Sequence, residues 1–111
     1  MKTIERTGEY RGIKWEVVLH SMGHRCGYVY ATCDRPYDLE VHGGITYTDA
    51  ECIGFDCAHS FDGPDVEAVR EQWGDEVVES DCFKFGFGEL KSADFVETEC
   101  KNLIDQIKEV D

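Results

Sequence analysis

The segment Ile13–Thr32, IKWEVVLHSMGHRCGYVYAT, decides the fold. Successive side chains of a strand point to opposite faces. Ile13, Trp15, Val17 and Leu19 therefore share one face and Lys14 and Glu16 the other, the pattern of a half-buried strand. SMGHR, centred on Gly23, supplies a turn, and CGYVYAT (Cys26–Thr32) is again rich in β-formers. The two runs read as a hairpin.

Working outward, TIERTGEY adds an edge strand before the hairpin, and CDRPYDLE after it is a loop, broken by Pro36 and its neighbouring Asp residues. GITYT and ECIGFDC follow as two short strands separated by a turn near Asp49–Ala50. SFDGPD is a loop leading to a helix over DVEAVREQW; Pro64 suits its first turn, Gly63 or Asp62 its cap, and Gly74 stops it. DCFKFGFGEL alternates Phe83, Phe85 and Phe87 as a strand. In the last segment Asp94 and Glu97 have capping-box spacing. Phe95, Val96, Cys100, Leu103, Ile104 and Ile107 recur at helical spacing, an apolar stripe that needs a sheet to cover. The stripe is expected to face the phenylalanine strand. The architecture expected for residues 1–111 is one α+β domain. Its sheet is mostly antiparallel and twisted, of about five or six strands, with the C-terminal helix and one short helix packed on one face.

Composition removes several function classes. Twenty-four acidic against 11 basic residues leave a charge of −13, a field that repels phosphates and argues against nucleic-acid binding. No run reaches the roughly 18 apolar residues of a membrane span. Glu5 and Glu9 fall where an export signal would be apolar, so a cytoplasmic (host-cell) location is expected. In a reducing compartment the six Cys are thiols, most of them packing residues. None forms a CxxC pair.

Chemistry-bearing residues concentrate in VHGGITYTDAECIGFDCAHSFDGPD (Val41–Asp65). Gly43–Gly44 permits positive φ and would expose successive N–H groups as an anion nest beside His42 and the Thr46 hydroxyl. Asp62, three residues after His59, would orient its imidazole, and Asp56 lies on the same strand end. Arg25 and Arg35, interleaved with Tyr28 and Tyr30, are suited to gripping an anionic planar ligand. The expected ligand-binding set is therefore His42, Gly43, Gly44, Thr46, Asp56, His59, Asp62, Arg25 and Arg35. Alternatively His42, Cys57, His59 and Asp62 supply the mixed N, S and O donors that zinc accepts. Zinc is the only cofactor so implied. The bland reading is that Cys57 is core and that the His and Asp residues cap strand ends.

The combination CGYVYA…VHGGITYT…CIGFDCAHSFD, with a C-terminal helix beginning DFVETECKNL, resembles a family of small bacteriophage and prophage proteins that share an HGG-(I/L)-T…GFDCAH pattern. The resemblance covers roughly Cys26 to Ile107. It implies a phage-related cytoplasmic origin and carries no catalytic residue across.

Three functions follow as expectations. The first is a binding module for a small, phosphate-bearing ligand, sequestering a host nucleotide defence signal. The second is a metal-dependent hydrolase using His42, Cys57, His59 and Asp62. The third is an acidic interaction or DNA-mimic domain for a host protein, with Glu67, Glu71, Asp75, Glu76, Glu79 and Asp81 on one face. A homo-oligomer is compatible with each.

Overall fold

The alternating segment forms β2 (Ile13–His20), paired antiparallel with β3 (Arg25–Val29), in a computed structural model that describes residues 2–57, 62–78 and 89–110. Trp15 lies opposite Val29 and Leu19 opposite Arg25. Gly23, at φ 93°, closes the turn in a conformation that favours glycine. β1 (Lys2–Tyr10) pairs with the outer side of β2; β5 (Ile53–Asp56) pairs with β3, and β4 (Tyr47–Thr48) with β5. The result is a five-stranded antiparallel sheet in the order β1-β2-β3-β5-β4. A second, parallel pair joins β6 (Asp62–Gly63) to β7 (Glu89–Leu90). The expected strand through Phe83, Phe85 and Phe87 lies outside the described residues.

The α1 helix (Val66–Trp73) ends at Gly74 as expected, and α2 (Asp75–Val78) follows. Its cap differs from expectation. Asp65 caps α1, its carboxylate accepting the Ala68 N–H at 3.1 Å, and Pro64 stands just before the cap. A carboxylate at the cap reaches the third helical N–H, which Gly63 has no side chain to do. Glu67, Glu71, Asp75 and Glu76 are exposed along these helices, and Arg70 pairs with Glu67 and Asp75. Glu79 and Asp81 lie outside the described residues.

Ser92 caps the C-terminal helix α3 (Ala93–Val110), its hydroxyl accepting the Phe95 N–H at 3.1 Å. The capping pair read at Asp94 and Glu97 serves another purpose. Both carboxylates accept from Arg6 of β1, at 2.5 and 3.2 Å. Arg11 adds a pairing to Asp105 at 2.8 Å, so the edge strand is tied along the helix.

One face of the sheet is covered by α3. Ile13, Trp15, Val17, Val29, Ile53 and Phe55 meet Val96, Cys100, Leu103, Ile104 and Ile107 there in a single buried cluster. Each large side chain removed from water contributes roughly 1.5–3 kcal/mol. The layer is tight: a Cβ on Gly27 would stand 2.5 Å from the Phe55 ring and 2.8 Å from the Cys100 sulfur. Among the described residues, no helix is long and apolar enough to cross a membrane.

Candidate functional site

The residues expected to form one ligand cavity are distributed over several parts of the structure. Gly43 and Gly44 do adopt positive φ, 69° and 83°, as the paired glycines suggest. Their turn is closed internally by the Gly44 N–H donating to the Val41 carbonyl at 2.9 Å. The anion met by the neighbouring His42 N–H is Glu99 of α3, at 3.0 Å. The His42 ring packs edge-on against Phe95, 5.3 Å between centroids. Gln106 and Asn102 of α3 hold Glu40 through its backbone, so the chain from Glu40 to His42 is strapped along the helix.

Cys57 is buried in the apolar cluster, and its N–H donates to the Arg25 carbonyl at 2.8 Å. Thr46 is exposed beside β4, its N–H bonded to the Gly54 carbonyl. Arg35 is exposed and pairs with Asp38 at 2.8 Å in the loop that carries the 3-10 turn Pro36–Asp38. His59, which both expected sets require, lies outside the described residues, as does the side chain of Asp62.

Arg25 is only 5% exposed. Its guanidinium bonds Glu5 at 2.6 and 3.1 Å, Asp65 at 2.8 Å and the Lys91 carbonyl at 3.0 Å. The register of β1 slips between Ile4 and Arg6, so Glu5 is the additional residue of a bulge, and that bulge aims its carboxylate at Arg25. A buried arginine with two carboxylates ties three segments together.

The opposite face of the sheet has a different chemistry. Alternation from the observed register puts Glu16 and Val18 of β2, Cys26 and Tyr28 of β3, Tyr30 just beyond it, Tyr47 of β4 and Asp56 of β5 on this side. Gly54, opposite both Tyr28 and Tyr47, leaves room for the Tyr28 ring to lie over the strand, and the two rings meet edge-to-face at 6.1 Å. A hollow of about 850 Å³ opens here, lined by these tyrosines with Glu16, Asp49 and Glu51. Glu16 is 7% exposed although it lies on the face that points away from α3. The ammonium of Lys14 sits 3.2 Å from its carboxylate and 4.9 Å from the Tyr30 ring centre. Burial, then the bond to Glu16, pushes the Tyr30 phenol up to about 12. Tyr28 is pushed to about 12 chiefly by burial. These phenols remain neutral hydrogen-bonding groups at any physiological pH.

At the hairpin end of this face His20 and His24 stack, ring centres 4.8 Å apart and planes 17° from parallel. One nitrogen of each ring and the Cys26 sulfur lie within 4.8 Å of one another. Among the described residues this is the single group of three potential metal-ligating side chains that converges.

No family model, no curated protein and no solved structure matches this chain. The site therefore rests on its own geometry. Sequence reading found Tyr28 and Tyr30 as stacking rings but assigned Glu16 to an ordinary exposed face and passed over His20. The signal for the imidazole pair was present as H-x3-H-x-C astride a glycine turn: in a hairpin, the two residues flanking the turn become cross-strand neighbours.

Proposed function

We propose that this chain is a binding module, and that its ligand is a small organic cation held on the tyrosine-lined face of the sheet. The observation that carries the proposal is the position of Lys14. The protein's own alkylammonium rests against the Tyr30 ring and beside the Glu16 carboxylate, showing the kind of group that surface accommodates. An aromatic face attracts a cation by its quadrupole, by about 0.5–2 kcal/mol depending on desolvation. Lys14 itself is more than half exposed, so a ligand amine would displace it to solvent. Lys2 also lines the hollow and opposes a cation, but Glu16, Asp49 and Glu51, within a chain of charge −13, outweigh it.

This moves the proposal away from a phosphate-bearing ligand. Arg25 is committed to two carboxylates, Arg35 stands on a separate loop, and the His42 N–H beside the glycine turn already donates to Glu99. The sequestering role expected of a small binding module is kept in this proposal: the ligand is held and not transformed.

Tyramine, its uncharged analogue 4-ethylphenol, and AMP distinguish the possibilities by calorimetry and by the ring signals of Tyr28, Tyr30 and Tyr47. Tyramine is expected to bind and to shift those signals, 4-ethylphenol to bind more weakly, and AMP not to bind. Glu16→Gln should weaken tyramine, while Lys14→Ala should strengthen it by removing the internal competitor. Tighter binding of AMP than of tyramine, or a loss of tyramine binding in Lys14→Ala, overturns the reading.

A further inference from the structure

We propose that His20, His24 and Cys26 form a site for a borderline-soft divalent metal ion, zinc foremost, at the hairpin end of the sheet face that points away from α3. The site is distinct from the His42, Cys57, His59 and Asp62 set suggested by the sequence.

The backbone brings these ligands together. Gly23 closes a tight turn in which the Gly23 N–H donates to the His20 carbonyl at 2.9 Å and the His20 N–H to the His24 carbonyl at 3.0 Å. His20 and His24 are thus the pair that ends the hairpin, and Val18 faces Cys26 two residues further in. Residues two apart share a face, so both imidazoles and the thiol project from the same side. Asp56 is the partner of Cys26 across β3 and β5, placing a carboxylate on that side as well.

The donor chemistry is selective. Two imidazoles and one thiolate suit zinc or cobalt and are poorly matched to magnesium or calcium, which take oxygen ligands. Zinc requires donors about 2.0–2.3 Å from the ion. Donor atoms up to 4.8 Å apart must draw closer by rotation of the two rings for one ion to meet all three. Three protein ligands leave a fourth position for water or for the Asp56 carboxylate.

The imidazole protonation states agree with this placement, which rests on the convergence of the three side chains. Burial lowers both imidazoles from their ordinary range, so their nitrogens keep lone pairs at neutral pH. Burial raises the Cys26 thiol to about 11, which opposes thiolate formation, so the metal ion itself must displace that proton. Binding exchanges one proton for one metal ion: the S–H bond breaks, the proton leaves to solvent, and the sulfur electron pair forms the metal–sulfur bond. Each imidazole donates a lone pair without losing a proton. No oxidation occurs. The net gain of one positive charge is favourable on a chain this acidic.

Cobalt(II) titration of the reduced, metal-free chain tests the assignment, because a cobalt–thiolate bond gives a near-ultraviolet charge-transfer band that imidazole and carboxylate ligands lack. One equivalent should bind, develop that band, and be displaced by zinc. Cys26→Ser should abolish the band. His24→Asn should weaken zinc binding by more than the roughly 10–100-fold typical of losing an outer partner, and remove the zinc-dependent rise in melting temperature. Because His24 lies at the hairpin end, that variant keeps the test decisive should Cys26→Ser fail to fold. A cobalt complex without the thiolate band, or zinc affinity unchanged in His24→Asn, overturns the proposal. A band that survives Cys26→Ser and vanishes in Cys57→Ser overturns it in favour of the other set.

Discussion

The two faces of the five-stranded sheet are made by the same strands and behave as different materials. On the covered face Ile13, Trp15 and Val17 of β2 pack in one cluster with α3, and Val17, Leu103 and Ile104 are completely buried. On the other face the intervening positions carry Glu16, Tyr28 and the stacked histidines, while Tyr30 and Tyr47 keep 39% and 47% of their surface. The glycines make the contrast sharp. Gly27 is a glycine because Phe55 and Cys100 fill the space a side chain would need; Gly54 is a glycine because Tyr28 lies over it. The first clearance belongs to stability and the second shapes a surface. One face is closed by α3, and the proposed binding surface is on the face that points away from it.

The largest expected effect that would break this contrast is on the covered face. Leu103→Ala removes a fully buried side chain and should cost about 2–5 kcal/mol in urea unfolding. A cost below about 1 kcal/mol would mean that α3 is not the main support of the sheet.

Next comes Gly27→Ala. Its added Cβ would collide with Phe55 and Cys100, and overpacking of this kind costs about 1–3 kcal/mol. Gly54→Ala sharpens the comparison, since the Tyr28 ring it meets is half-buried and can swing outward. Its thermal denaturation should shift less than that of Gly27→Ala, while the Tyr28–Tyr47 contact and tyramine binding are lost. Equal destabilisation by the two substitutions would erase the distinction between the faces.

The smallest effect is electrostatic. The bond from the Tyr47 hydroxyl, followed by those from the Glu51 and Cys52 N–H groups, holds the Asp49 carboxyl down at about 2. A carboxyl whose folded value lies below its unfolded value of about 3.9 stabilises the fold above that pH, and the contribution fades as pH falls toward 2. A chemical-shift titration should give Asp49 a midpoint near 2. Tyr47→Phe should raise that midpoint without unfolding the protein. An ordinary midpoint in the unsubstituted chain would show that the rim of the hollow is not pre-organised.

How much of this was legible in the sequence varies by level. The hairpin through Gly23, the edge strand, the helix stopped by Gly74 and the apolar stripe of α3 follow from local periodicity and lie where that periodicity puts them. Both helix caps were misplaced. Asp65 and Ser92 each stand within a few residues of other polar side chains, and only backbone geometry selects among such neighbours. The candidate site was read even less well. His42 next to two glycines looked like an opening to ligand, yet the carboxylate that fills it, Glu99, is 57 residues away along the chain. Arg25 looked like an available cation until the β1 bulge supplied Glu5.

By itself, the sequence determined which side of each strand is apolar and where the long helix must run, because a period of two or of 3.6 depends only on near neighbours. Only the tertiary structure decided which polar groups are spent inside the molecule and which face outward together. That outcome depends on strand order and register, which join β3 to β5 across more than twenty residues of intervening chain. Convergence of side chains is a property of those long-range pairings, and no local pattern encodes it.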